Sequence, residues 1–190
     1  MSRKKIPEFL TDDECDAIIN IFNKRYFSSH RNRVMIQLFL STGLRLSEMI
    51  NLKWQDINLM SGQFKVVDGK GNKDRILWIG EDTLQLLCEW KERQSDKLQK
   101  TIYVFTNRDN QQLVDRDVRE MVVTYAKKAG ISKKISPHTL RHTYATNLLR
   151  QTKNIRLVQK ALGHSDLSTT MIYTHIVDDE YEEALKNFRL

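Results

Sequence analysis

The chain is poor in the residues that break or staple a fold. Its 190 residues include two prolines and seven glycines, with no low-complexity tract and no internal repeat. This scarcity excludes a long structureless linker and leaves one compact unit large enough to bury a core. Cysteine is scarcer still for a secreted protein of this size: Cys15 and Cys88 are too few for a disulfide framework, and neither sits in a metal-type pair. A reducing, cytoplasmic setting is the expectation. No apolar run is long enough to span a bilayer. The stretch Met1-Ser-Arg-Lys-Lys-Ile-Pro7 lacks the apolar centre of a secretory signal.

Negative charge is also in deficit. Lys and Arg number 31 against 24 Asp and Glu, giving a net charge of +7. The imbalance is uneven. From Ile176 to Leu190, five acidic residues (Asp178, Asp179, Glu180, Glu182, Glu183) face two basic ones (Lys186, Arg189), a net of −3. The remainder holds 29 basic and 19 acidic residues, a net of +10. A basic body with an acidic end points to a polyanionic partner, nucleic acid first.

The hydrophobic pattern is mostly helical. Thr11 with Glu14 reads as a capping box, ahead of Cys15, Ile18, Ile19 and Phe22 at helical spacing. A second apolar helix is predicted from about Asn32 to Thr42, closed by Gly43, and a short one over Ser47 to Leu52. The period then changes. Gln63 to Val67 and Asp74 to Ile79 read as two strands joined by a hairpin tip, Gly69-Lys-Gly-Asn-Lys73. Glu81 to Lys97 returns to helix, with Leu84, Leu87 and Trp90 inward. Tyr103 to Phe105 reads as a short buried strand or a core segment. Asp115 is placed to cap a helix presenting Val118, Met121, Val122, Tyr125 and Ala129, ended by Gly130. Ser136-Pro137 opens another helix. Ile155 to Leu162 follows, stopped by Gly163. A short helix near Ser168 to Thr174 and an acidic helix from Asp178 to Phe188 complete the chain. The fold class is mainly α with a small antiparallel sheet (α+β).

Several residues stand out chemically. In Thr42-Gly-Leu-Arg-Leu-Ser-Glu48, Arg45 follows a glycine break at a new helix start, where a guanidinium and backbone N–H groups can bind a phosphate. The same Arg45 is equally placed to pair with Glu48. In His138-Thr-Leu-Arg-His142, His138 and Arg141 share a helix face, joining a titratable imidazole to a fixed cation. His138 and His142 also have metal-type spacing, but no carboxylate lies between them and Arg141 would repel a cation, so phosphate binding ranks above metal binding. Leu162-Gly-His164 sets a histidine behind a helix-ending glycine, and Tyr173 follows nine residues later. Tyr26, Tyr103, Tyr125, Tyr144 and Tyr181 offer core or interface roles instead.

Taken together, Arg45 in TGLRLSE, Lys70 in GKGNKDR, His138 and Arg141 in HTLRH, His164 in LGH, and Tyr173 resemble the six-residue active-site pattern of tyrosine recombinases, the phage-integrase family. The resemblance runs from about Leu10 to Tyr173, in the family's order and spacing. It implies the catalytic-domain fold of that family and a site-specific recombinase or integrase. Such an enzyme breaks and rejoins DNA through a 3′-phosphotyrosine, with no cofactor, metal or ATP.

The resemblance also implies roles. Tyr173 is the nucleophile, Arg45 and Arg141 clamp the non-bridging oxygens, and His164 donates a further hydrogen bond there. His138 accepts or positions a proton, and Lys70 is the general acid for the leaving 5′ oxygen. Arg45, Lys70, Lys73 and Arg141 are the expected DNA contacts, and double-stranded DNA is the expected partner. Residues 1–175 form the expected catalytic domain. Residues 176–190 form an acidic helical tail that family members often pass to a neighbouring subunit, giving a tetramer in the synapse. The N-terminal helical domain usual in the family is not expected within these residues, as for an excised catalytic domain or a naturally short member. Two other readings are a DNA-binding regulator acting by occupancy and a type IB topoisomerase. The complete catalytic set disfavours the first, and the HTLRH and LGH contexts disfavour the second.

Overall fold

The computed structural model describes residues 7–66, 74–98, 100–164, 170–173 and 186. Seven α-helices and one three-stranded sheet are present among them. They run α1 (Asp12–Asn20), α2 (Phe27–Thr42), α3 (Leu46–Asn51), β1 (Ile57–Asn58), β2 (Gln63–Val66), β3 (Arg75–Trp78), α4 (Glu81–Leu98), α5 (Asp115–Lys128), α6 (Pro137–Thr152) and α7 (Ile155–Leu162). Single 3-10 turns cover Trp54–Asp56 and Met171–Tyr173. The fold is therefore mainly α with a small antiparallel sheet, as the sequence pattern indicates. Among the described residues no helix is long and apolar enough to cross a membrane.

Local chemistry accounts for most element boundaries. The Thr11 hydroxyl accepts from Glu14 N–H and the Glu14 carboxylate accepts from Thr11 N–H, so both halves of the capping box start α1. Ser136 caps α6, with Pro137 in its first turn. The Asn154 side chain accepts from Arg156 and Leu157 N–H to start α7. Gly43 and Gly163 close α2 and α7 in the left-handed region, at φ 61° and 65°. Asp115 opens α5 as its first residue, not its cap; Val114 holds the cap position.

Two expectations shift, and one open alternative is decided. α2 begins at Phe27, well before Asn32, because Ser29, His30 and Asn32 are buried against its neighbours despite their polarity. A further short strand, β1, pairs with β2 through Ile57 opposite Phe64. Tyr103 forms only an isolated bridge to Lys53. Val104 and Phe105 beside it are fully buried, so this stretch is a core segment. The acidic helix expected from Asp178 lies outside the described residues, except for Lys186.

The sheet has the order β1-β2-β3, antiparallel throughout, with Val66 opposite Arg75 at the hairpin end. Its inner residues Phe64, Val66 and Leu77 join the main core formed with α1–α5 and the start of α6. Gln94 of α4, fully buried, stitches this core together: its amide donates to the Tyr103 and Val104 carbonyls and to the Thr106 hydroxyl, and accepts from the Trp54 indole. A second, smaller cluster lies between α6, α7 and the 171–173 turn, formed by Ala145, Leu149, Val158, Leu162 and Tyr173. The seam between the two clusters is where the chemically distinctive residues meet.

Candidate active site

Three chain breaks bring the site together. The Gly43 turn presents Arg45, the first two turns of α6 present His138, Arg141 and His142, and the Gly163 turn presents His164. Arg141 is 5% exposed and ties the three segments to one another. Its Nη1 donates to the Gly43 carbonyl at 2.5 Å, and its Nη2 donates to the Leu162 carbonyl at 2.7 Å. Nη2 also lies 3.2 Å from Nε2 of His164. A guanidinium only donates, so His164 Nε2 accepts there. The proton of His164 then sits on Nδ1, which lies 3.0 Å from the hydroxyl of the fully buried Thr170.

Of the two alternatives that the sequence leaves open for Arg45, the structure shows the pairing with Glu48. Glu48 closes a capping box on the Arg45 backbone N–H (2.7 Å), and its Oε1 also accepts from Arg45 Nη1 (2.9 Å). Arg45 Nη2 meanwhile reaches the Gly163 carbonyl at 3.4 Å. Glu48 is itself buried and is held by Arg75 of β3 in a bidentate pair, both bonds 2.8 Å. The Arg75 Nε donates to the Ala161 carbonyl at 3.0 Å. Glu48 thus aligns one guanidinium from the cap of α3 and one from the sheet against the end of α7. Burial alone would raise its carboxyl, but the hydrogen bonds and charge of Arg75 outweigh that and hold it below the ordinary carboxylate range.

The electrostatic balance is strongly cationic. Three guanidiniums, Arg45, Arg75 and Arg141, gather around the single carboxylate of Glu48 among the described residues. Burial, and then the charge of Arg45, lowers Arg141 to about 10. Burial and the charges of Arg141, Arg45 and Arg75 lower His164 to about 4, so it is neutral near pH 7. His138 is exposed at the start of α6. Its value is lowered by partial burial and by Arg119, Arg141 and Arg45.

Tyr173 is 2% exposed, whereas Tyr26 is exposed and Tyr103, Tyr125 and Tyr144 are half-buried. Its hydroxyl lies 2.5 Å from Nδ1 of His142, with the rings 5.7 Å apart. Burial pushes the phenol up to about 12, although Arg141 pulls the other way. Burial, with the charges of His138 and Arg141, lowers His142 to about 4. His142 thus spends its Nδ1 on Tyr173, a use that its metal-type spacing with His138 does not suggest.

The structure therefore gathers Arg45, His138, Arg141, His164 and Tyr173 around one seam. Lys70 and Lys73 lie in the connection between β2 and β3, outside the described residues. Sequence reasoning missed Arg75, Thr170 and the link from His142 to Tyr173. Arg75 left one signal: it shares the inward face of β3 with Leu77, where an unpaired cation is not expected.

The arrangement offers fixed cations for a phosphate, two neutral imidazoles in His142 and His164, and a protonated phenol. The sequence profile described as the Phage integrase family matches residues 8–180. Tyrosine recombinase XerC of Thermodesulfovibrio yellowstonii is 38% identical over 180 residues, covering 92% of this chain and 60% of that protein. The crystal structure of XerA recombinase superposes with a TM-score of 0.85 at 31% identity, covering 98% of this chain and 68% of that one. That of the XerH site-specific recombinase bound to palindromic difH substrate, a post-cleavage complex, gives 0.83 at 30% identity over 96% and 54%. The chain spans about three fifths of the length of the curated recombinases it matches.

Proposed function

The chain belongs to the phage integrase family, and on that premise we propose that it carries the catalytic machinery of a tyrosine-type site-specific DNA recombinase. Its substrate is double-stranded DNA. It breaks one strand by joining Tyr173 to the 3′ phosphate and rejoins it by reversing that step. The observation that carries this reading is the cluster of the half-buried Arg45 with the buried Arg75 and Arg141 around one carboxylate, next to the Tyr173 hydroxyl. A surplus of fixed cations beside a protonated nucleophile suits an incoming phosphodiester, whose oxygens gain charge in the transition state.

The roles follow from the chemistry. Arg45 and Arg141 bind the non-bridging oxygens. His164 adds a hydrogen bond there once its Nε2 carries a proton, which a bound phosphate favours by offsetting the charge of Arg141. His138, on the exposed side of the same helix turn, contacts the phosphate or positions a proton near it. Lys70 protonates the leaving 5′ oxygen, and Lys73 contacts the backbone. Glu48 and Arg75 position Arg45. The phosphotyrosine keeps the energy of the phosphodiester, so rejoining needs no ATP. The chemistry needs no metal, because guanidiniums serve where a metal-dependent nuclease would place a cation.

Self-association on DNA is part of the same reading. The −3 segment from Ile176 carries Val177, Tyr181, Ala184, Leu185 and Phe188 at helical spacing, a pattern suited to docking on a neighbouring protomer away from the DNA. The synaptic unit is then a tetramer on two duplexes. The function is tested with nicked duplexes tiled across the DNA flanking the gene, incubated with the chain in EDTA and resolved under denaturing conditions. A covalent protein–DNA species is expected on a subset of the duplexes. Its absence from every duplex, or its appearance only with added Mg²⁺ or Zn²⁺, overturns the proposal.

A further inference from the structure

The recombinase reading needs a group that takes the phenolic proton from Tyr173, and the helix that holds Arg141 offers two histidines. We propose that His142 is this group: its Nδ1, already hydrogen-bonded to the Tyr173 hydroxyl, accepts the proton as that oxygen attacks phosphorus. The proposal rests on Tyr173 being the nucleophile.

The geometry favours His142 over the other imidazoles. His142 Nδ1 stands 2.5 Å from the hydroxyl, and that hydroxyl has no other hydrogen-bond partner among the described residues. His164 is committed through Nε2 to Arg141 and through Nδ1 to Thr170. His138 is exposed, one helical turn earlier on α6. Position 142 follows Arg141 directly, so the residue that orients the phosphate and the residue that touches the nucleophile are neighbours on one rigid element. Tyr173 is fixed from the other side by its packing with Ala145, Leu149, Val158 and Leu162.

The charge state agrees with the geometry. A phenol held at about 12 keeps its proton near neutrality, and an imidazole held at about 4 is neutral. The hydroxyl therefore donates, Nδ1 accepts, and the ring proton of His142 sits on Nε2. At rest the proton has no drive to move. Burial and then the charges of His138 and Arg141 keep His142 a weak base, and these are the groups a bound phosphate would offset. Arg45 and Arg75 stand behind Arg141, and Tyr173 and His164 face His142 from the other elements. Binding of DNA thus strengthens the base at the moment it is needed. In the step itself the O–H bond of Tyr173 breaks as its O–P bond forms. The proton passes to His142 Nδ1, and the P–O5′ bond breaks with its electron pair leaving on the 5′ oxygen. Lys70 protonates that oxygen. The reverse step returns the proton from His142 to Tyr173.

The test compares wild type, His142→Asn, Lys70→Ala and Tyr173→Phe on a nicked duplex that the wild type cleaves, following adduct formation from pH 5.5 to 9.5. Asparagine keeps an acceptor near the position of Nδ1 but cannot take a proton. His142→Asn should bind the duplex like wild type and form adduct at least about a hundredfold more slowly at pH 7. Its rate should climb about tenfold per pH unit across the range, since the phenol must then ionise unaided, while the wild-type rate levels off. A 5′-bridging phosphorothiolate should relieve Lys70→Ala and leave the His142→Asn defect in place. In the unmodified protein, ¹⁵N shifts should show the Nε2–H tautomer of His142, a readout independent of any variant. An Nδ1–H tautomer overturns the proposal. So does a His142→Asn rate within a few-fold of wild type, or one reduced by a constant factor with the wild-type pH profile. Adduct formation by Tyr173→Phe overturns the nucleophile reading itself, which separates the two failures.

Discussion

Nδ1 of His142 and the hydroxyl of Tyr173 lie 2.5 Å apart and join α6 to the short turn of residues 171–173. The bond runs between the buried phenol and a half-buried neutral imidazole, and His164 nearby is held neutral in the same way, each imidazole at about 4. In the unfolded chain both histidines would titrate near the ordinary imidazole value of 6.5. Between pH 6.5 and about 4 the unfolded state therefore binds protons that the folded state refuses, so stability falls as pH falls through that window. The urea midpoint should drop steadily over it, and less steeply in His164→Asn. Glu48, with its lowered value, contributes only below about 4.5, which separates its effect from that of the histidines. A midpoint that stays flat from pH 6.5 to 5 would contradict the partial burial that keeps these imidazoles neutral.

The Glu48–Arg75 pair gives a second prediction. Glu48→Gln keeps the shape but leaves the buried Arg75 and Arg141, with the half-buried Arg45, without their carboxylate. Breaking one partner of a buried ion pair costs about 3–5 kcal/mol, and the loss should be read as a lower urea midpoint at unchanged slope. Replacing both residues, Glu48→Leu with Arg75→Met, should recover part of that stability while still impairing adduct formation, because Arg45 loses its alignment. A single Glu48→Gln variant as stable as wild type would contradict the pairing.

Much of this was legible in the sequence, and the omissions have physical causes. α7 is found with its observed ends, Ile155 and Leu162, because Asn154 and Gly163 mark both termini chemically. The start of α2 is hidden because its first two turns bury Ser29, His30 and Asn32, polar residues that a hydrophobic period does not count. On β3 the apolar pattern points the wrong way: Ile76 and Trp78 face solvent while Arg75 turns inward to Glu48. The site shows the same division. Arg45, Arg141, His164 and Tyr173 stand in local motifs with recognisable spacing. The partners of Glu48 and His142 are 27 and 31 residues away, and no local pattern encodes contacts at that separation.

Gly163 links backbone conformation to the site. It adopts φ +65°, and a Cβ there would lie 3.0 to 3.3 Å from the Arg75 side chain. Gly163→Ala therefore strains the backbone by about 1–2 kcal/mol and also pushes Arg75 against Glu48. Gly130 has φ +76° with nothing within 4 Å of its Cβ position, so Gly130→Ala carries the backbone cost alone. Thermal unfolding should rank Gly163→Ala clearly below Gly130→Ala, with adduct formation reduced only in the former. Equal melting temperatures would contradict the tight packing of Arg75 under Gly163.

Lys70 is tested through the leaving group. If it protonates the 5′ oxygen, Lys70→Ala should slow cleavage of ordinary DNA by about two to four orders of magnitude. It should recover most of that rate on a 5′-bridging phosphorothiolate, whose thiolate departs without an acid. Arg141→Ala should be equally slow on both substrates. Equal defects of Lys70→Ala on both would show that it only grips DNA and would transfer the acid role to Lys73.

The central claim is that Tyr173 becomes joined to DNA. Covalent complexes formed on a nicked duplex in EDTA are digested with protease and nuclease, and the nucleotide-bearing peptide is sequenced by mass spectrometry. The account predicts a single modified residue, Tyr173, and no complex from Tyr173→Phe under conditions where that variant still binds the duplex. A nucleotide mapped to Tyr181 or any other residue, or an undiminished complex from Tyr173→Phe, would contradict it.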